Sequence, residues 1–146
     1  VTIIDLLTKA AIESHFEFRE IKEVTSFFYL TLVYNTGAAF SFLADAGGWQ
    51  RWFFTAIAIG ASVLLVSWIR KEASSKPYMA FAYAFILGGA LGNLYERIVL
   101  GHVVDFLVLH YQDFYWPAFN LADSAITLGV IIFLYDVFFG KEIKQS

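Results

Sequence analysis

There is no cysteine among the 146 residues. That absence excludes disulfides, thiol catalysis and cysteine-based metal sites. Histidine is scarce, with 3 residues. His102 and His110 stand eight apart and His15 is remote, a spacing that supports no metal centre. Neither a metal nor a cofactor is expected. Charge is sparse as well, at 16% Asp, Glu, Lys and Arg, against about a quarter in soluble domains. The net charge of −3 contains no block of like sign. Phosphate binding needs a basic patch, so nucleic acid is not expected as a partner. A basic start, an apolar run and a small-residue cleavage site are not seen together at the beginning. Membrane targeting is therefore expected to reside in the apolar segments themselves.

Apolar residues are abundant at 59%, and the aromatic load is heavy, with 16 Phe, 8 Tyr and 4 Trp. Mean hydropathy is +0.63. Residues 52–69 form 18 consecutive positions without a charge, closed by Arg70, Lys71 and Glu72. Pro77 opens a second such run, which ends at Glu96 and Arg97. Each matches one crossing of a hydrocarbon core, which takes about 20 residues. A third run covers 119–135, broken by Asp123. Residues 1–12 are largely apolar, with Asp5 and Lys9 inside and a stripe of Ile4, Leu7 and Ala11. This reads as the outer end of a membrane helix that lacks its other half, or else as a short amphipathic surface helix. The spans are placed at about 1–14, 52–69, 78–97 and 120–139. Arg70, Lys71, Lys76, Lys141 and Lys144 mark the cytoplasmic side by the basic-loop rule. Segments 13–51 and 96–119 then share the outer side.

The outer segment from Val24 to Tyr34 is rich in β-branched and aromatic residues, which suit strands. Asn35, Thr36 and Gly37 read as a turn. Residues 44–51, with Gly47, Gly48 and Trp49, suggest a loop or short helix on the membrane surface. The cradle and lid together occupy about 22–51.

Two carboxylates stand out. Asp123 lies about one turn into an apolar helix, where a charge is costly and usually faces a partner or a wet cavity. A bland alternative is a first-turn charge favoured by the helix dipole, with Asn120 as cap. Asp105 has apolar neighbours on both sides. A buried aspartate accepting backbone hydrogen bonds is its structural alternative. Both fall on the outer side, 18 residues apart. Two adjacent carboxylates cannot both ionise easily, so one can act as base and one as acid. Gly88, Gly89 and Gly92 permit close helix packing. Asn93 and Arg97 lie one turn apart. Arg97 suits either a substrate carbonyl or a headgroup anchor, and Asn35 either a substrate backbone or a plain turn.

Four runs then resemble one family. They are 34–40 (YNTGAAF), 88–94 (GGALGNL), 101–106 (GHVVDF) and 119–124 (FNLADS). In this order they resemble the bacterial lipoprotein signal peptidases, or signal peptidase II, over residues 5–139. The resemblance implies a mainly α membrane protein: a four-transmembrane-helix bundle, here with a truncated first helix, a small outer β-cradle and a surface helix or lid. It implies an aspartyl endopeptidase of the bacterial inner membrane, with its site toward the periplasm. The substrate would be a prolipoprotein, cut before a cysteine that carries diacylglycerol. Membrane lipids and the peptide antibiotic globomycin are the other implied ligands, and a monomer is expected. Asp105 and Asp123 map onto the catalytic pair. Asn35, Asn93, Arg97 and Asn120 map onto substrate-binding positions. Asp5, Thr8 and Lys9 map onto the first motif, with Asp5, Lys9, Glu96 and Gly37 as supporting residues. Two positions depart from the family pattern. Glu96 replaces an aspartate that would orient Arg97, and Leu6 replaces a glutamine. These departures leave a catalytically impaired scaffold as one alternative, and a proton- or cation-coupled carrier as another.

Overall fold

The computed structural model describes residues 1–36 and 49–140. Element α1 spans Thr2–His15, followed by strands β1 (Ile21–Thr25) and β2 (Phe28–Asn35). Helices α2 (Trp49–Glu72) and α3 (Pro77–Val99) come next. Strands β3 (Val103–Tyr111) and β4 (Phe114–Tyr115) precede α4 (Leu121–Phe139). Among the described residues, α2, α3 and α4 are long and apolar enough to cross a membrane. Their outward faces carry exposed apolar side chains such as Val63, Phe81 and Phe138. That pattern fits a lipid solvent.

The 14-residue α1 is arranged oppositely to a soluble helix. Its Ile4, Leu7 and Ala11 stripe points outward, whereas Asp5, Lys9 and Ile12 are buried. Thr2 Oγ1 donates to the Gly88 carbonyl at 2.8 Å and ties α1 to α3.

Close approach of α3 and α4 depends on small residues. A Cβ at Gly89 would lie 2.3 Å from the Ala122 carbonyl oxygen, and one at Gly129 would lie 2.6 Å from that of Ala82. Each helix thus presents a glycine to an alanine of the other. At one end of the pair, Lys76 Nζ bonds both Asp136 carboxylate oxygens at 3.0 and 2.7 Å, and the Tyr78 hydroxyl joins the same carboxylate. At the other end, Arg51 in the first turn of α2 donates to the Arg97 and Ile98 carbonyls, both at 2.6 Å. These are the last carbonyls of α3, which have no intrahelical partner. A cation there also complements the helix dipole.

The strands form one antiparallel sheet in the order β1-β2-β3-β4. Strand β3 was not anticipated, although its Val103, Val104, Phe106 and Val108 have strong β character. Register pairs Val33 with Asp105 and Asn35 with Val103. Ile12, Leu32, Val104 and Phe106 form the core between α1 and the sheet. Trp49 and Arg51, expected in a surface lid, belong to α2. The rest of that lid, including Gly47 and Gly48, and the supporting Gly37 lie outside the described residues.

Candidate active site

Asp105 and Asp123 reach one place because three segments converge there. Phe119 accepts from the backbone of Phe106 and Leu107 at 3.0 and 2.8 Å and donates to Leu107 at 3.0 Å. This pairing returns the chain alongside β3 just before α4 begins. Residue 120 therefore sits beside residue 105. Asn35 is brought in by strand register. It lies diagonally across from Asp105 on the same sheet face, a spacing that side chains bridge.

Asn120 joins the two carboxylates. It is the N-cap of α4, and its Oδ1 accepts from the Asp123 amide at 2.9 Å. Asp123 Oδ2 accepts in return from the Asn120 amide at 3.3 Å, completing a capping box. Asn120 Nδ2 donates to Asp105 Oδ1 at 2.7 Å, and also to the Val104 carbonyl and Asn93 Oδ1, each at 3.2 Å. The capping alternative for Asp123 is thus realised in the structure, and the same asparagine also holds Asp105.

The remaining carboxylate oxygens face amides as well. Asn35 Nδ2 donates to Asp105 Oδ2 at 3.0 Å, and Asn93 Nδ2 donates to Asp123 Oδ1 at 2.8 Å. The donors found on Asp105 are side-chain amides, in place of the backbone donors of the structural alternative. Asn35 ends β2 and is not the turn residue expected from sequence. Burial, and next the Asp123 charge, push the Asp105 carboxyl up to about 7 against the pull of Asn35 and Asn120.

Beneath this pair lies an ionic cluster. Lys9 Nζ is 2.8 Å from Asp5 Oδ2, 2.8 Å from Glu96 Oε2 and 2.9 Å from Asn93 Oδ1. Asp5 Oδ1 accepts from the Ala122 amide at 2.8 Å, satisfying a first-turn donor of α4. Glu96 Oε2 accepts from the Val104 amide at 3.2 Å, next to Asp105 on β3. Glu96 was expected to orient Arg97. Among the described residues its ion-pair partner is Lys9 instead. Successive helical residues do not face each other, so residues 96 and 97 serve different neighbours.

Arg97 makes no ion pair among the described residues. Its charge acts on both Asp123 and Asp105, its guanidinium carbon lies 5.6 Å from the Phe54 ring centre, and its buried Nε has no hydrogen-bond partner there. Asp123 also lines a groove of about 550 Å³ with Trp116, Phe119, Thr127 and Leu128. Among the described residues no group of three His, Cys, Asp or Glu is placed to hold a metal ion.

A family model described as signal peptidase (SPase) II matches residues 1–139. The lipoprotein signal peptidase of Cellvibrio japonicus is 63% identical over 97% of this chain and 84% of its own length. That of Pseudomonas fluorescens is 52% identical over 100% of this chain and 87% of its own. A bacterial membrane enzyme solved by the in meso method at 2.3 Å resolution superposes with a TM-score of 0.83 at 33% identity. That alignment covers 94% of this chain and 82% of the enzyme. A match across nearly the whole chain, at these identities and on this fold, places the protein in the signal peptidase II family.

Proposed function

We propose that this chain is an aspartyl endopeptidase that removes signal peptides from diacylglyceryl-modified prolipoproteins, cutting before the lipidated cysteine. The observation that carries the reading is the shared asparagine. Asn120 holds Asp105 by its amide and Asp123 by its cap, which fixes two carboxylates around one reaction space. One proton is shared by the pair. The ionised member takes a proton from water as that water attacks the scissile carbonyl. The protonated member hydrogen-bonds the carbonyl oxygen as charge develops, and the tetrahedral intermediate then collapses with cleavage of the C–N bond as the proton taken from water passes to the leaving amine. The pair titrates as a unit, so neither role belongs to one residue alone.

Arg97 Nε, buried without a hydrogen-bond partner among the described residues, suits a peptide carbonyl of the substrate. The groove below Asp123 offers an apolar surface at the level where the peptide would meet lipid. The site belongs at the outer face of the bacterial inner membrane, with Arg70, Lys71 and Lys76 toward the cytoplasm. A monomer suffices, since both aspartates and their asparagines come from one chain. Globomycin is expected to inhibit by occupying this site.

The test is incubation in detergent micelles with a diacylglyceryl prolipoprotein, following the shift in product size. Cleavage before the modified cysteine is expected, and globomycin should block it. No cleavage under conditions where the protein is folded would overturn the reading in favour of a scaffold or a carrier.

The pH dependence follows from Asp105. Its carboxyl is raised to about 7, so the pair holds its proton below that value and loses it above. Cleavage is therefore expected to decline as pH rises through about 7. Stability should change in the same direction. A raised carboxylate pKa means that the folded state binds more protons than the unfolded chain between about 4 and 7. Stability is highest below that window and falls as pH rises through it. Replacing Asn35 by leucine removes a donor that favours the ionised form, so the descending limb should move to higher pH. An unmoved limb in a pH–rate profile would count against Asp105 as the titrating group.

A further inference from the structure

We propose that Lys9 is a positioning residue of the reaction, acting through the amide of Asn93; the proposal rests on the peptidase reading above. An ammonium has three N–H donors and no acceptor. Nζ donates to Asn93 Oδ1 and is ion-paired with Asp5 Oδ2 and Glu96 Oε2. The side chain is 1% exposed, so water does not compete for these donors.

The consequence falls on Asn93. Its Oδ1 receives two donors, Lys9 Nζ at 2.9 Å and Asn120 Nδ2 at 3.2 Å. An asparagine amide can in principle turn over and exchange its oxygen with its nitrogen. Here the turned form would point an NH₂ group at a buried ammonium and at another NH₂. Only one orientation is satisfied, and it aims Nδ2 at Asp123 Oδ1, 2.8 Å away. Asn120 is fixed in the same manner, because its Oδ1 faces the backbone N–H of Asp123. Two groups that can only donate thus set the direction of both amides. The amides in turn present N–H groups to both carboxylates. Removing the ammonium leaves only the 3.2 Å bond from Asn120 to keep Asn93 from turning its oxygen toward Asp123, where it would repel an ionised carboxylate.

Lys9 touches neither aspartate of the pair; its charge reaches both through space, and its route by contact runs through Asn93. A double-mutant cycle measures that route. Lys9→Met, Asn93→Ala and the double variant are purified in micelles with the parent. For each, kcat, KM and the melting temperature are determined on the prolipoprotein. Lys9→Met is expected to lower kcat by about 10–100-fold with KM little changed, as small misplacements of catalytic groups do. In the Asn93→Ala background the same substitution should cost less than threefold. Lys9→Met strands Asp5 and Glu96 in a buried place and can fail to fold. The companion Lys9→Met/Glu96→Gln, set against Glu96→Gln alone, keeps the cluster's net charge at that of the parent.

Equal losses in both backgrounds overturn the proposal and leave Lys9 as a brace for Asp5 and Glu96. So does a lowered melting temperature with kcat unchanged. If the parent itself does not cleave, the peptidase reading has failed, which is a different result from an additive cycle in an active enzyme.

Discussion

Replacing Asp105 or Asp123 with asparagine is expected to reduce the cleavage rate by about 10²- to 10⁴-fold each, the range for losing a positioned acid or base. Asparagine keeps the shape but only one acceptor oxygen, so each variant loses one of the two hydrogen bonds its carboxylate accepts, from Asn35 or Asn120 at position 105 and from Asn93 or the Asn120 amide at position 123. It cannot give or take the proton. Groups that act as one unit are not additive, so the double variant should be no slower than the worse single. Single-turnover rates on the prolipoprotein, with melting curves to confirm folding, provide the measurement. A single variant that retains near-parent rates would remove that carboxylate from the chemistry. A carrier would behave differently, since it would never yield a shortened product.

The second large effect is on packing. Gly89→Ala is expected to destabilise the bundle by about 1–3 kcal/mol, as overpacking does. The new Cβ would lie 2.3 Å from the Ala122 carbonyl oxygen and 2.8 Å from Ile126 Cγ1. A backbone oxygen cannot move aside unless α4 moves with it. Alanine's intrinsic helix preference, about 1 kcal/mol over glycine, offsets only part of this. The internal control is Gly60→Ala on α2, where nothing lies within 4 Å of the added carbon. That variant should be neutral or slightly stabilised. Activity should fall together with stability in Gly89→Ala, because Ala122 precedes Asp123 in the first turn of α4. Equal melting temperatures for the two variants would show that the helices tolerate a wider separation.

Membrane helices α2, α3 and α4 are legible in the sequence because charge-free runs mark them, although α2 continues about a turn beyond the run at each end. The proposed pair, Asp105 and Asp123, was legible as two isolated carboxylates in apolar company. What joins them was not. The pairing of Leu107 with Phe119 is a long-range event, and no periodicity announces that it sets Asn120 beside Asp105. Strand β3 was hidden for a related reason. Val103–Tyr111 reads as apolar sequence close to a membrane helix, and its partner, β2, lies 70 residues earlier between Asn35 and Asp105. The polarity of α1 was hard to read because lipid reverses the usual sign. Its apolar stripe is the outside of the protein and its charges are the inside. Glu96 keeps a supporting place, but adjacency in sequence pointed to Arg97 as its partner, whereas the helix turns it toward Lys9.

The buried face of α1 has a consequence for how the molecule comes into being. Asp5 and Lys9 are a poor cargo for hydrocarbon, since a lone helix carrying them offers lipid two charges with one another as sole company. They are fully sheltered only once Glu96, Asn93 and the first turn of α4 close around them. Those same contacts finish the arrangement of the two aspartates. On the proposed reading, the site is complete only in the assembled protein, with α1 docked against α3 and α4.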